Sequence, residues 1–312
     1  MLMLRQWKKI FSNSPLIFRE RRLCVALPVI LRENPNRFQT VVSPKYNKLF
    51  QSFSYHDDMV LGDFHLHSTF SDGKLSIPQI VDFYGERGFG AIAITDHISE
   101  EAHLIGKTAR YLGKSLTRES FPIYIETIKA EAERAWAQYK MIVLPGMELT
   151  KIAIREKHSA HVVVVGAELY MSADAPVEEL LKSVRSIGAI SIAAHPVDTK
   201  KRERQTHYLW NHRDEFQDDF DAWEVASGPY LFDEVAQTKL PKIANSDLHA
   251  PSQMRSWKTL VDAELNPEAI LEAIRKQRVD FKFYDYEHAP TRFLQKICEA
   301  PPLAFRESFL EF

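Results

Sequence analysis

The chain has 312 residues, of which 45% are hydrophobic, with 40 lysines and arginines against 42 aspartates and glutamates. These values exclude wholesale disorder and fibrous architecture, and the near-neutral charge argues against a protein that holds nucleic acid by bulk charge. Because there are only two cysteines and no apolar run of about 18 residues, we predict a cytoplasmic protein without a disulfide scaffold or a transmembrane helix.

Residues 1–58 are more basic than the rest of the chain, with ten lysines and arginines against four acidic residues. They show no sustained periodicity, and no small-residue cleavage site follows a clean apolar core, so a signal peptide fits poorly. We interpret them as a poorly organised basic extension or as residues upstream of a true start at Met59, with an organelle transit peptide as the alternative. The organised domain is expected over 59–285, followed by a C-terminal tail at 286–312.

From residue 60 onward, short apolar runs alternate with amphipathic stretches, which is typical of β/α units. Ser76 and Pro78 mark the start of the first helix and Gly88 its end. About seven such units are few for an eightfold barrel but enough for a smaller, distorted α/β barrel. The predicted strands are 60–67, 91–95, 141–149, 161–166, 190–194, 221–225 and 242–245, and the predicted helices are 77–88, 119–139, 177–187 and 267–276. The inward candidates of the long helix are Ile123, Ile128, Ala132 and Trp136.

Ligand-type side chains occur where these strands end. In a parallel barrel all strand C-termini meet at one rim, which is where such enzymes place their active sites. Imidazole and carboxylate together suit Zn²⁺, Mn²⁺ or Fe²⁺, and a catalytic zinc takes about three protein ligands. The set therefore predicts a cluster of two or three divalent ions. Its members are His65, His67, Asp72, Asp96, His97, Glu148, His161, His195, Asp247 and His249.

Three assignments within this set have alternatives. His161 begins its strand, and it reaches the rim only if this strand and the one before it form a hairpin; His158 is the competing candidate. Asp96 is favoured as a residue that orients His97 over a direct ligand. Asp72 precedes a glycine, so its alternative role is that of a turn residue.

The chain resembles the PHP (polymerase and histidinol phosphatase) superfamily, most of all its stand-alone metal-dependent phosphoesterases. The motifs that carry the resemblance occur in order over about residues 60–250: His65-x-His67 with Ser71-Asp72-Gly73, Thr95-Asp96-His97, Gly146-x-Glu148, His161, Ala194-His195-Pro196 and Ser246-Asp247-x-His249. The resemblance implies a distorted (β/α)7 barrel with a metal site at the strand C-terminal rim. It also implies three sets of ligands: His65, His67, Glu148 and Asp247 for one ion; Glu148, His161 and His195 for a second; and Asp72, His97 and His249 for a third.

The predicted function is a metal-dependent phosphoesterase that acts on a nucleotide, a sugar phosphate or a short oligonucleotide. A metal-bridging hydroxide would hydrolyse the phosphomonoester or phosphodiester bond. The alternatives are an amidohydrolase-type metal-dependent hydrolase and a non-catalytic metal-binding barrel. The candidate catalytic residues are Glu148, His195 and His249. The candidate contacts to substrate phosphate are Lys151, Lys201, Arg202 and Arg204. The aromatic residues considered for stacking on a short nucleic acid are Tyr208, Trp210 and Trp223.

Overall fold

The computed structural model describes residues 59–102, 104–151, 159–197 and 207–285. The predictions for 1–58 and 286–312, and those for His158, Lys201, Arg202 and Arg204, fall outside these residues. The strands are β1 (Val60–Asp63), β2 (Ala91–Ile94), β3 (His97–Ser99), β4 (Ile142–Lys151), β5 (Ala160–Val165), β6 (Ile190–Ala193), β7 (Ala222–Ser227), β8 (Tyr230–Leu231), β9 (Lys242–Asn245), β10 (Ser256–Val261) and β11 (Val279–Tyr284). The helices are α1 (Ile77–Gly85), α2 (Leu104–Tyr111), α3 (Phe121–Tyr139), α4 (Val177–Ser186), α5 (His207–Asn211), α6 (Arg213–Phe216), α7 (Asp233–Ala236) and α8 (Pro267–Arg275).

The strands form one mixed sheet in the order β11-β10-β1-β2-β4-β5-β6-β7-β8, with β3 beside β4 and β9 beside β7. Most of the central pairs are parallel, but β5 runs antiparallel to both β4 and β6. The sheet bends back on itself, because Leu66 forms a bridge with Leu248 and the N–H of Ala244 donates to the hydroxyl of Thr259 in β10. The result is a curled half-barrel, which confirms the predicted distorted α/β barrel fold.

Helix α1 begins as its sequence predicts. The Ser76 side chain accepts a hydrogen bond from the N–H of Gln79, the Gln79 side chain accepts one from the Ser76 N–H, and Pro78 lies in the first turn. This capping box satisfies backbone donors that have no partner inside the helix. Helix α8 packs its buried side chains Ile270, Ala273 and Ile274 into an apolar core formed with strands of the curled sheet, and α1 also buries one apolar face.

The inward face of helix α3 agrees only in part with the predicted one, because Ile128 is buried as predicted but two of the other predicted residues are exposed. Its buried residues are Phe121, Tyr124, Ile125, Ile128 and Ala135, and Ala132 is half-buried. The predicted inward residues Ile123 and Trp136 are 60% and 43% exposed. Tyr124 fixes this orientation, because its hydroxyl lies 2.9 Å from the carbonyl oxygen of Ile94 and 3.0 Å from that of Gly146.

The first strand is shorter than predicted and ends at Asp63. Beyond it, side chains take the place of strand partners: the N–H of Phe64 donates to Oδ1 of Asn245, and the N–H of Leu66 donates to the hydroxyl of Thr95. The extended segment from 64 to 67 is thereby held between the ends of β2 and β9. The sequence analysis did not predict β3, the β10–β11 hairpin or the short helices α5 to α7.

Candidate metal centre

Glu148 lies at the centre of the site. It is carried by β4, beyond the point where β2 stops pairing with that strand, and its side chain is completely buried. Two residues earlier, a Cβ atom on Gly146 would collide with the carbonyl oxygen of Val164 on β5. The glycine therefore permits the close approach of backbones that places Glu148 beneath the rim.

One carboxylate oxygen of Glu148 faces three imidazoles. Its Oε2 lies 3.4 Å from Nε2 of His65, 3.4 Å from Nε2 of His67 and 2.8 Å from Nδ1 of His97. The pairing of β3 with β4 places His97 directly opposite Glu148. The two rings of the His-x-His motif thus face the same carboxylate, as their spacing predicts.

The other oxygen of Glu148 faces two further imidazoles. Its Oε1 lies 2.8 Å from Nδ1 of His161 and 3.5 Å from Nε2 of His195. Strands β4 and β5 do form an antiparallel hairpin, in which His161 lies opposite Thr150. His195 follows β6 with a backbone φ of 27°, a left-handed conformation that is uncommon for a residue with a side chain.

Asp247, Asp72 and His249 form the outer part of the site. Asp247 Oδ1 lies 3.2 Å from Nε2 of His67 and 3.4 Å from Nδ1 of His249. Asp72 Oδ1 lies 3.2 Å from Nε2 of His249 and 3.6 Å from Nε2 of His97. Asp72 is therefore part of the cluster and does more than shape a turn.

The cluster has a buried floor and an open rim. The side chains of His65, His67 and Glu148 are completely buried, whereas those of Asp72 and His249 are 31% and 28% exposed. Among its described members, the cluster is therefore most exposed on the side of Asp72 and His249.

The donor atoms of this floor fit divalent ions. Within the part of the chain that the structure describes, the buried atoms without a hydrogen-bond partner include both ring nitrogens of His67 and His161, Nε2 of His65 and both carboxylate oxygens of Glu148. Burying such lone pairs without a partner is costly, and a cation satisfies several of them at once. Three sets of donor atoms lie within 4.8 Å of one another: His67, Asp72, His97 and His249; His65, Glu148 and His195; and His65, His67 and Asp247.

The charges within the cluster are unequal. Burial opposes ionisation of Glu148, but the surrounding imidazoles hold its pKa well below the usual range. Burial and two neighbouring imidazoles lower the pKa of His67 to about 3, so its ring is a neutral donor of lone pairs. Burial also disfavours a charge on His249, but Asp247 and Asp72 outweigh it and raise its pKa to about 10. An anionic centre is therefore combined with a proton-holding imidazole at the rim.

Glu224 is a site residue that the sequence analysis did not identify. It lies on β7, is completely buried, and its Oε1 is 2.9 Å from Nδ1 of His65. The same oxygen accepts a hydrogen bond from the Asn245 amide at 3.0 Å, and Oε2 accepts one from the N–H of His195 at 2.7 Å. The only signal in the sequence is one acidic residue within an otherwise apolar strand.

Asp96 has a different role from the predicted one. Its carboxylate accepts hydrogen bonds from the N–H and hydroxyl of Ser68 and from the hydroxyl of Ser71. It therefore holds the loop that carries Asp72, whereas we had expected it to orient the ring of His97. This loop also requires Gly73, because a Cβ atom there would overlap the carbonyl oxygen of His67.

Two residues that were predicted to contact the substrate are not available for that contact. The Lys151 ammonium lies 2.6 Å and 2.9 Å from the carbonyl oxygens of Ala173 and Ala175, and 2.8 Å from Oε1 of Glu100. These three acceptors use its three N–H groups, so no donor remains for a phosphate. Trp223 is completely buried, so no base can stack on it.

A buried ion pair lies behind Asp247. The Lys258 ammonium is 2.7 Å from Asp63 Oδ2, and both side chains are completely buried. Asp63 also accepts hydrogen bonds from the N–H and hydroxyl of Ser246 and from the hydroxyl of Tyr84. This network fixes the residue that immediately precedes Asp247.

These features agree with the family to which the sequence is matched. A family model of the PHP domain matches residues 63–227, more than half of the chain, so the chain belongs to the PHP family. It is similar to DNA polymerase/3'-5' exonuclease PolX of Bacillus subtilis, with 30% identity over 142 residues that make up 44% of this chain and 23% of PolX. The chain therefore spans less than a quarter of that relative.

Two other proteins match over more of their length. An uncharacterised protein of Methanocaldococcus jannaschii is 30% identical over 206 residues, which cover 62% of this chain and 83% of that protein. A two-domain protein from Bacteroides vulgatus, which contains a predicted PHP-like metal-dependent phosphoesterase, shares the fold at a TM-score of 0.55 and 22% identity. That similarity covers 77% of this chain and 69% of the other.

The family and the three sets of donor atoms together support a metal-dependent hydrolase of the PHP family. Among the described residues, no helix has both the length and the apolar character needed to cross a membrane.

Proposed function

We propose that this chain is a metal-dependent phosphoesterase that hydrolyses phosphomonoester or phosphodiester bonds. The observation that carries the proposal is the arrangement around Glu148, whose two oxygens face different sets of imidazoles at 2.8–3.5 Å. A carboxylate in this position can be shared between two neighbouring ions. Two-ion sites of this kind are typical of phosphate-ester hydrolysis.

The residues would hold the ions in the sets that their geometry suggests. Glu148 would share its oxygens between an ion on the side of His65 and His67 and an ion on the side of His161 and His195. The remaining set, which includes Asp72, His97 and His249, would hold the most exposed ion. When bound, such ions lower the pKa of a water molecule and offset the negative charge of the phosphoryl group.

The protein groups have separate tasks in this proposal. Glu148 stays anionic and fixes the distance between the two sides of the site, while the strained backbone of His195 orients its ring towards Oε1 of Glu148. His249 is among the most exposed members, so it lies on the side from which an ester would approach, and the proton it holds in the metal-free protein would be released when it binds an ion. Burial of the floor excludes bulk water, which strengthens each of these interactions.

The substrate class remains part of the proposal. A small phosphorylated molecule is the first candidate, and it would approach from the side of Asp72 and His249, where the cluster is most exposed. A short nucleic acid is the second candidate, because the relative from Bacillus subtilis is a DNA polymerase with 3'-5' exonuclease activity. The burial of Trp223 and the engagement of Lys151 remove two of the features that a nucleic-acid substrate would use.

The test compares two chromogenic substrates, p-nitrophenyl phosphate and bis(p-nitrophenyl) phosphate, with the Mn²⁺-loaded full chain. Glu148→Ala is the blank, and Glu272→Ala, on the exposed surface of α8, is the matched control. We expect the wild type and the control to exceed the blank by more than about 100-fold, since even residues that only support metal ligands contribute about 10- to 100-fold.

Each outcome has a distinct meaning. A preference for the monoester supports a phosphatase acting on small molecules or nucleotides, and a preference for the diester supports a phosphodiesterase or a nuclease for short oligonucleotides. If neither rate exceeds that of a folded Glu148→Ala variant, the phosphoesterase proposal is wrong. The amidohydrolase alternative then becomes the hypothesis to test.

A further inference from the structure

Glu224 accepts hydrogen bonds from three donors that belong to three different parts of the chain. His65 follows β1, His195 follows β6 and Asn245 ends β9, and all three direct an N–H group at this one buried carboxylate at 2.7–3.0 Å. An ionised carboxylate has only acceptor sites, so it can satisfy three donors without conflict.

The contact with His65 determines which nitrogen of that ring is free to bind an ion. Because Glu224 accepts a hydrogen bond at Nδ1, the proton of the neutral ring resides there and the lone pair resides on Nε2. Nε2 points at the floor of the site, 3.4 Å from Glu148 and 3.5 Å from Asp247. The opposite tautomer would place a proton where an ion has to bind.

The contact with His195 holds a strained backbone. This residue has a φ of 27°, and its N–H lies 2.7 Å from Oε2 of Glu224. A residue with a side chain keeps such a conformation only when its surroundings enforce it. The conformation places the His195 ring beside that of His65, with ring centroids 5.8 Å apart and planes inclined by 17°.

We propose that Glu224 is the positioning residue of the two ions that would share Glu148, because it holds His65 on one side of that carboxylate and His195 on the other. It holds the ring of one ligand and the backbone of another, and it contacts neither an ion nor the substrate. The inference rests on the proposed metal-dependent function and adds to it a residue outside the ligand set. It predicts that the affinity for these two ions depends on Glu224, although the chemical identity of every ligand is unchanged.

Replacement of Glu224 by glutamine tests the proposal, because it exchanges one acceptor oxygen for an NH₂ donor and leaves the shape of the side chain almost unchanged. If the amide nitrogen of the new residue faces His195, two N–H donors meet there. If the amide is turned over, its nitrogen meets the donors of His65 and Asn245. Either orientation leaves at least one donor facing another, so Glu224→Gln cannot hold both ligands at once.

The experiment titrates the metal-free full chain with Mn²⁺ by calorimetry and counts bound ions by elemental analysis. The matched control is Asp221→Asn, the same chemical change immediately before β7, where the carboxylate accepts a hydrogen bond from the N–H of Ser191. For Glu224→Gln we expect the two ions beside Glu148 to bind about 10- to 100-fold more weakly, with the ion on the side of Asp72 and His249 and the control unchanged. Excess Mn²⁺ should restore the two bound ions, because all the ligands are still present.

The proposal is overturned if folded Glu224→Gln binds every ion with wild-type affinity, or if Asp221→Asn weakens the same ions equally. If the glutamine variant does not fold, Glu224→Asp takes its place. The shorter carboxylate keeps its acceptors but cannot span both ligands, so we expect an intermediate loss of affinity for the ions beside Glu148, and wild-type affinity would again overturn the proposal. Because the readout is metal binding, a lack of phosphoesterase activity in every variant would refute the proposed function without deciding the role of Glu224.

Discussion

The buried ion pair between Asp63 and Lys258 allows a quantitative prediction. Removing one partner of such a pair typically lowers the free energy of unfolding by about 3–5 kcal/mol, because it leaves a buried charge without its counter-charge. In Lys258→Met, Asp63 keeps three donors from Ser246 and Tyr84, so we expect a loss near about 3 kcal/mol. In Asp63→Asn, Lys258 loses its counter-charge and, besides residue 63, keeps in the described chain a hydrogen bond to the hydroxyl of Ser256, so we expect a loss towards about 5 kcal/mol.

The measurement is urea unfolding of the metal-free protein, followed by circular dichroism. The double variant Asp63→Asn, Lys258→Met should lose about 2–3 kcal/mol less than the sum of the single variants, because neither charge is then left alone. The matched control is Arg134→Met, which breaks a half-exposed pair with Asp82 and should cost about 0.2–1 kcal/mol. A loss below about 1 kcal/mol for Lys258→Met, or additive losses in the double variant, would refute the reasoning.

Three further predictions concern the site itself. Gly73→Ala should weaken Mn²⁺ binding, because the new Cβ overlaps the carbonyl oxygen of His67. The control Gly188→Ala, at a positive φ in open space, should lower the free energy of unfolding by about 1–2 kcal/mol and leave the metal affinity unchanged. Equal Mn²⁺ affinities of the two variants in calorimetry would contradict this prediction. Metal affinity should rise with pH, because His249, with its pKa raised to about 10, has to release a proton before it binds an ion; titrations in buffers of different ionisation enthalpy should reveal the released protons. Removing the metal with a chelator should lower the melting temperature by about 5–10 °C, relative to protein in a free metal concentration of about 100 times the dissociation constant. An unchanged melting temperature would argue against ions that bind the folded state.

The parts of the site that could be predicted are those with a local signal. His65 and His67 lie two residues apart after an apolar run, and Glu148 ends a similar run, so a few neighbouring residues are enough to identify each as a candidate ligand. The antiparallel position of His161 followed from the short connection after Glu148, which leaves little chain for anything but a hairpin. Fold and ligand cluster were therefore predictable because a barrel brings its strand ends to one rim.

The parts that escaped prediction depend on partners distant in sequence. In the sequence, Glu224 is an isolated acidic residue among mostly apolar neighbours. Its role depends on its hydrogen bond with His65, which lies 159 residues earlier. The β10–β11 hairpin was missed partly because Lys258 interrupts its apolar run, and that lysine is tolerated only because Asp63 lies beside it. The inward face of α3 was partly misplaced because the hydroxyl of Tyr124, which lies within 3.0 Å of the carbonyl oxygens of Ile94 and Gly146, decides the rotation of the helix.

Backbone strain and buried carboxylates are linked in this site. The described residues other than glycine with a positive φ are Lys140, His195, Asp247 and Gln277. Lys140 directly follows the end of α3, and Gln277 lies two residues past the end of α8, where a left-handed residue is common. His195 and Asp247 have no such explanation, and both belong to the sets of candidate ligands.

Each of these two strained ligands is held through a backbone N–H by a buried carboxylate. Glu224 accepts from the N–H of His195 itself, and Asp63 accepts from the N–H of Ser246, immediately before Asp247. Strain of about 1–3 kcal/mol at each position persists only if surrounding contacts enforce it, and a charged acceptor in a buried setting supplies a strong contact. Because Asp63 lies two residues before His65 and Glu224 binds its ring, both restraints meet at the same histidine. The geometry of the candidate donor set therefore depends on two buried carboxylates that lie outside that set.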